Sequence, residues 1–424
     1  MRVALVFGGI PGFGHGGSTM AAWTIVEELL AHEHEVLAVL LPEAGLLDDS
    51  VQGRIAALEE LGATVHTVAV PDAQLHKKRW RRRLDYARSI ALPKTEELFP
   101  ARRAAPDVRA ALADARIDAG IAFGLEAIAA SVSAGPPFLA ALSHPPGISR
   151  RLRLRYDPAQ RGFLSRLGER SFLAYADRHV ARLLRRFPSV AVFSPHHADW
   201  ARRSGAMAWY AHYPLPDLAG PHWRERRGAA NRGSHRPRIL MIGHLRGIGT
   251  ISGLHLFIPA ILPRLEQALG RGGFEVHVVG GHDPPQAFVT GLQHPSVRLR
   301  GQISDPAEEF FAADVLLAPN PTTTGASARV LSGLSFGNCV VAHTDTLVGI
   351  PELVHDENCL LGSDGPTLAD ATLRALADAD LRARLGESAR ALYERAFSPE
   401  VSARRLVHEI ERLGTQAHSS DQKP

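Results

Sequence analysis

Two loops in this 424-residue chain have the residue types of an anion cradle. "GGIPGFGHGGST" follows an apolar run at the N-terminus, and "TTTGASARVL" begins at Thr322 behind a second run, "DVLLAPN". Small residues that open a helix leave backbone N–H groups unpaired, and an anion satisfies them. Two cations stand near the second loop in sequence pattern. Arg329 starts the helix behind it, and Arg246 lies in "GHLRGIGT" after an earlier strand-like run. No Asp or Glu occurs between Asp314 and Asp345.

In the N-terminal loop, Gly12, Gly14 and Gly17 match G-x-G-x-x-G. In a dinucleotide fingerprint the first glycine closes the strand directly, so that backbone reaches the pyrophosphate. Here Ile10 and Pro11 intervene, and Glu43 stands late for a ribose-binding acid. A G-x-x-x-x-G-K-[ST] phosphate loop fails because Ser18 occupies the lysine position. What survives is a flexible backbone surface around Gly16 and Gly17 for a phosphate or sugar, with His15 beside it. A tight loop-to-helix turn is the bland alternative.

His144 in "LAALSHPPG" and Glu126 after "IAFGL" each close an apolar run. Each fits a ligand contact, or else a packed histidine and a plain helix-start acid. The pairs His32–His34 and His196–His197 lack metal-site spacing with other ligands, and "DADL" at Asp378–Leu381 ends a helix. No catalytic metal is expected.

The elements that must hold these residues alternate strand and helix. "RVALVFG", "EVLAVLL", "TVHTVAV", "DAGIAFG", "FLAALSH" and "SVAVFSP" read as buried strands separated by helices. That rhythm implies βαβ units and a parallel sheet. "DLAGPHWRERRGAANRGSHRP" (Asp217–Pro237) has no periodicity and reads as a linker. The rhythm then restarts with "RILMIGH", "FEVHVVGG", "VRLRG", "DVLLAPN" and "NCVVAH". The expected fold is α/β, with two tandem Rossmann-like, doubly wound domains facing a cleft. The domains are 1–216 and 238–398, with a helix over 399–413 packing back on the first and a flexible tail, 414–424. Ligands of open parallel sheets bind at the carboxyl ends of their strands.

Composition narrows the class. Hydrophobic content of 45% with 38 glycines suits an α/β protein. Cys339 and Cys359 provide no disulfide framework, which fits a reducing, cytoplasmic setting. "MRVALVFGG" does not read as a signal peptide, and no apolar stretch stands out as a membrane span. The net charge is +4, concentrated in His76–Arg88, Ser149–Arg155 and Arg178–Arg186. These clusters read as solvated faces or as loose contact with an anionic surface. Few aromatics accompany them, so nucleic acid is not an expected partner. Oligomeric state is not legible.

The whole chain resembles the GT-B glycosyltransferases, and its second half resembles the retaining family 4. "ILMIGHLRGIGTISGLHLFIPAILP", "VRLRGQISDPAEEFFAADVLLAP" and "GASARVLSGLSFGNCVVAHTDTLVGIPELVHDENCLL" carry the likeness in order. The resemblance implies a nucleotide-diphosphate sugar of UDP or GDP type as donor, a small-molecule acceptor, and no cofactor. It implies donor contacts at Gly16, Gly17, His244, Gly301, Ile303, Thr324, Gly325, Ala326, Ser327 and Ser332. Acceptor contacts fall at Glu126 and His15, and the catalytic group is His144, Arg246 and Arg329. Both glutamates of the family's E-x7-E motif are replaced, the first by Thr324 and the second by Ser332. His244 stands where the family usually has an Arg. A serine hydroxyl cannot grip two ribose hydroxyls as a carboxylate does. Two rival readings remain: a degenerate GT-B protein that binds without turnover, and a nicotinamide oxidoreductase resting on Gly12, Gly14 and Gly17.

Overall fold

The computed structural model describes residues 1–13, 16–42, 49–70, 100–156, 176–230, 236–303 and 305–421. They fall into two compact units. The first takes in Met1–Arg151, Arg161–Pro214 and Ser402–Pro424; the second takes in Leu152–Gln160 and Leu215–Val401.

The first unit is built on a parallel sheet of seven strands: β1 (Arg2–Phe7), β2 (Glu35–Leu40), β3 (Thr64–Thr67), β4 (Ala119–Phe123), β5 (Phe138–Leu142), β6 (Ser189–Val192) and β7 (Ala208–Tyr210). Their order is β3-β2-β1-β4-β5-β6-β7. β4, β5 and β6 are buried along their whole length, which is why they read as unbroken apolar runs rather than alternating ones. The second unit repeats the plan with β8 (Arg238–Ile242), β9 (Glu275–Val279), β10 (Val297–Gly301), β11 (Val315–Ala318), β12 (Cys339–His343) and β13 (Leu360–Gly362). Their order is β10-β9-β8-β11-β12-β13, again with parallel pairing. Both units are therefore doubly wound. The strand order reverses between β1 and β4 in one and between β8 and β11 in the other, and these are the crevices where such folds take ligands.

Edge strand β10 is exposed at four of its five positions and carries Arg298 and Arg300. Charge on an edge discourages pairing with another chain. Behind it, the buried His277 donates its Nδ1–H to Glu309 Oε2 at 2.6 Å, and Arg300 donates to the other carboxylate oxygen at 2.8 Å.

Three sequence readings need correction. The stretch 217–237 is not a plain linker, because helix Trp223–Ala230 occupies its middle. Trp223 is 3% exposed, and Arg227 donates to the carbonyl of Phe336 at 2.9 Å. That helix has one apolar anchor and is held by a cation at carbonyl ends, so it carries no periodic signal. The C-terminal helix runs Pro399–Asp421 and does not stop at Leu413. From Ser402 it groups with the first unit, where Arg404 pairs with Glu28 at 3.1 Å.

The third correction concerns membrane spans. Among the described residues one helix, Ile248–Leu269, is long and apolar enough to cross a bilayer by length and composition. It is a core helix. Ile251, Leu254, Phe257, Ile261 and Leu265 are buried in the apolar centre of the second unit. A π-helical turn at Phe257–Ile261 spans Pro259, where the regular ladder lacks a donor.

Candidate functional site

The loops after β8 and β11 meet at the reversal point of the second sheet. Gly243 closes β8 with φ +145° and donates its N–H to the carbonyl of Val279 at 2.9 Å. A side-chain carbon there would stand 2.6 Å from Arg329 Nη2 and 2.8 Å from Thr250 Oγ1. Glycine is required both by the backbone and by the arginine that fills the space.

Arg329 reaches in from helix Ala328–Ser335. It donates from Nη1 to Asn320 Oδ1 and from Nη2 to Thr250 Oγ1, both at 3.3 Å. The residue as a whole is half-buried, but its guanidinium is enclosed. Among the described residues it makes no ion pair. Burial pushes its pKa down to about 10, with no carboxylate to oppose the shift. Asn320 is buried and steadies the other side by donating to the carbonyl of Gly249. The result is a positive charge fixed by neutral partners at the start of a helix.

Around this charge the small-residue loop behaves as its composition suggests. Ser327 precedes the helix in an extended conformation and makes no side-chain cap. Thr324, Ala326 and Ser327 are half-buried, and Gly325 has φ +86°. Ser332 is 6% exposed, one turn along from Arg329. On the other side of the crevice, the His244 and His282 rings meet at a tilt of 42° with centroids 4.3 Å apart. Arg246 donates its N–H to His244 Nδ1 at 3.2 Å and its Nε–H to the Asp283 carbonyl at 3.2 Å. Gly301 closes β10 and accepts from the Gly280 N–H at 2.8 Å, with Ile303 just beyond.

In the first unit, Gly16 has φ +129° and opens helix Gly17–Ala31. Gly12 donates to the Thr19 carbonyl at 3.1 Å, and Arg54 donates to the Ile10 carbonyl at 3.1 Å. Gly14, His15 and Glu43 lie outside the described residues, as does the cluster His76–Arg88. His144 follows β5 and bonds Ser149 Oγ through Nε2 at 2.6 Å. Glu126 accepts from the Ala101 N–H at 3.2 Å, a local bond that ties its helix to the short turn Pro100–Ala104.

The structure thus groups Arg329 with Thr324–Ser327, and His244 with Arg246, beyond the carboxyl ends of the central strands β8 and β11. Asn320, Thr250 and His282 belong with them and were not singled out from sequence. Asn320 was the findable one, since a buried amide just after a strand at a reversal point has a task. Thr250 and His282 gave no local signal. Among the described residues no group of three His, Cys, Asp or Glu side chains is arranged to hold a metal ion.

The fold is shared with solved glycosyltransferases over nearly the whole chain. Sucrose-phosphate synthase from Thermosynechococcus elongatus aligns with a TM-score of 0.69 at 16% identity, covering 98% of this chain and 99% of that one. Anabaena HepE, in complex with UDP and glucose, aligns at 0.64 and 14% identity over 97% and 99%. WaaG, a glycosyltransferase involved in lipopolysaccharide biosynthesis, aligns at 0.57 and 17% identity over 96% and 99%. No curated protein matches the sequence. The fold is that of solved GT-B glycosyltransferases. Residues 236–378 match the family model described as glycosyl transferases group 1, a match that spans most of the second unit and the crevice around Arg329.

Proposed function

We propose that this chain transfers a sugar from a nucleotide-diphosphate donor to a small-molecule acceptor, with retention and without a catalytic metal. The carrying observation is Arg329, an enclosed guanidinium with two neutral partners and no ion pair among the described residues. Its missing counter-ion is the donor's diphosphate.

The chemistry follows from where charge develops. As the glycosidic bond to the diphosphate breaks, negative charge accumulates on the leaving oxygens, and a fixed cation stabilises it without reorganising. Arg329 supplies that charge, with Arg246 and the N–H groups near Thr324–Ser327. The acceptor attacks from the face the diphosphate leaves, and a diphosphate oxygen takes the acceptor's proton. Such a reaction needs few protein carboxylates, which suits a loop with Thr324 and Ser332 in the acidic positions.

We assign the second unit to the donor and the first to the acceptor, through Glu126 and His15. His144 is assigned to the donor sugar. The donor is of UDP or GDP type; the UDP and glucose bound to Anabaena HepE favour UDP. The cytoplasm is the proposed compartment. The basic segments around Ser149–Arg155 and Arg178–Arg186 suit loose contact with an anionic surface.

Calorimetric titration with UDP, GDP, ADP, TDP and NAD, repeated on Arg329→Ala, tests the reading. Binding of one nucleoside diphosphate that disappears in the variant is expected. Binding of NAD that survives the substitution would transfer the assignment to an oxidoreductase. A second reading, binding without turnover, is favoured by the loss of both loop carboxylates. It predicts a bound sugar nucleotide that is neither hydrolysed nor transferred. Turnover unaffected by a chelator is expected from the metal-free mechanism.

A further inference from the structure

We propose that His244, with the His282 ring against it, is a titratable part of the diphosphate cradle, so that the protein takes up a proton as it takes up the donor. The inference rests on the diphosphate reading of the Arg329 crevice and adds to it a pH-dependent grip.

The argument starts from the hydrogen bond at His244. Its Nδ1 accepts the backbone N–H of Arg246 at 3.2 Å. An imidazole that accepts at one nitrogen is neutral and holds its proton on the other. In this state the ring occupies the Arg246 N–H, one of the donors an anion would use. Protonation turns Nδ1 into a donor, and the Arg246 bond cannot persist. The ring then offers two N–H groups and releases a third on the backbone. One proton therefore changes both the charge and the donor count of the loop.

The surroundings hold His244 neutral until an anion arrives. Partial desolvation, the His282 ring and the Arg246 guanidinium all lower its pKa. The charged and titratable groups that face it are Arg246 on its own loop, His282 and Asp283 on the loop after β9, and Arg329 on the helix behind Gly243. Asp283 meets Arg246 through its backbone carbonyl, and no carboxylate contributes to the His244 shift. A diphosphate placed here reverses the balance, because an adjacent anion favours imidazolium.

His282 is the less expected partner. It sits at φ +68°, a left-handed conformation uncommon for a side-chain-bearing residue. That conformation puts its ring against His244 at the mouth of the crevice, where both side chains are exposed. An exposed, strained residue is a poor choice for packing and a reasonable one for ligand contact.

The linkage has a definite sign. The free pKa of His244 is depressed and the bound one is raised. Affinity is therefore highest below the free value and falls as pH rises through the bound value.

Titration of the full chain with inorganic pyrophosphate and with UDP, in buffers of different ionisation heat, reads the proton directly. The runs are made at about pH 7 to 8, above the ordinary imidazole range near 6.5. The wild type is expected to take up a fraction of a proton per ligand and to bind about threefold to tenfold more weakly at the higher pH. His244→Gln keeps a side-chain hydrogen-bonding group without a titration. It and His282→Gln are expected to bind more weakly and to lose most of the uptake and the pH dependence. Undiminished uptake in both variants, or none in the wild type, overturns the proposal while the diphosphate site stands. If neither pyrophosphate nor UDP binds the folded wild type at any pH, the diphosphate reading falls, and the proposal with it.

Discussion

Two arginines in the second unit are taken out of water, and they are treated in opposite ways. Arg390, with 6% of its side chain exposed, pairs with Asp217 at 2.6 Å and with Glu394 at 2.7 Å. Burial works against its charge, and these carboxylates outweigh the burial, so its pKa is raised. Arg329 has only the amide of Asn320 and the hydroxyl of Thr250, and its pKa is lowered. Isolated charges are costly in an enclosed site unless something pairs with them. For Arg390 the chain provides the counter-ion. For Arg329 it provides hydrogen-bond geometry and leaves the charge unbalanced.

Arg227 guards against reading too much into lone cations. It too is enclosed, with its pKa pushed down to about 10 by burial. Its partners, however, are the backbone carbonyls of Phe310, Ala313 and Phe336. Phe336 caps the C-terminus of helix Ala328–Ser335, where the macrodipole is negative. Arg227 is thus a capping cation with a structural task, while Arg329 stands at the positive end of the same helix. A cation at the positive end gains nothing from the dipole, and an anion is needed to make that placement favourable.

The contrast is open to a direct break. Arg390→Met leaves Asp217 and Glu394 without their cation and should destabilise the chain by about 3 kcal/mol, as loss of one partner of a buried pair does. Urea unfolding of the full chain reads this. Arg329→Met is expected to leave stability unchanged or slightly raised, and to weaken diphosphate binding about a hundredfold, near 2.7 kcal/mol. If the two substitutions destabilise equally, Arg329 is a structural residue and the comparison fails.

Very different parts of this comparison were readable beforehand. The two doubly wound sheets were legible because β1, β4, β5, β11 and β12 are largely buried runs dominated by Val, Ile, Leu, Ala and Phe, bounded by turn residues. Arg329 stood out in the sequence because it follows a run of small residues. Its partners did not. Thr250 is 79 positions away, and the bond to it exists only because the β8 and β11 loops meet at the strand-order reversal. Helix Trp223–Ala230 was invisible for a related reason: Arg227 finds its acceptors 83 to 109 residues downstream. The resemblance to family 4 drew attention to Thr324 and Ser332, but not to the groups around Arg329.

A third charged group sharpens the comparison from the acidic side. Glu309 is almost enclosed, yet His277 and Arg300 hold its pKa below the ordinary carboxylate range, the His277 hydrogen bond contributing most. A depressed pKa means that the carboxylate's contribution is present above the unfolded value, about 4.3 for Glu. It is lost as pH falls through the lowered folded value. Glu309→Gln should cost about 1–2 kcal/mol at neutral pH and flatten the acid limb of stability. An unchanged acid limb would mean that other carboxylates govern it.

The smallest effect tests how far the crevice relies on its fixed cation. Cradles that hold ribose with a carboxylate gain strongly from the nucleoside, because a charged acceptor grips two hydroxyls. Where the resemblance to family 4 would put that carboxylate stands Ser332, 6% exposed and on the same helix as Arg329. Its hydroxyl makes a weaker, neutral bond. The affinity of the wild type for UDP should therefore exceed that for pyrophosphate by only about tenfold, near 1.4 kcal/mol. Paired titrations measure the ratio without any substitution. A ratio of several thousand would mean that the nucleoside is held by groups other than this helix, with the loop after β10 at Gly301 and Ile303 as the first place to look. A ratio near one would mean that the site recognises diphosphate alone, and that donor choice is made elsewhere in the chain.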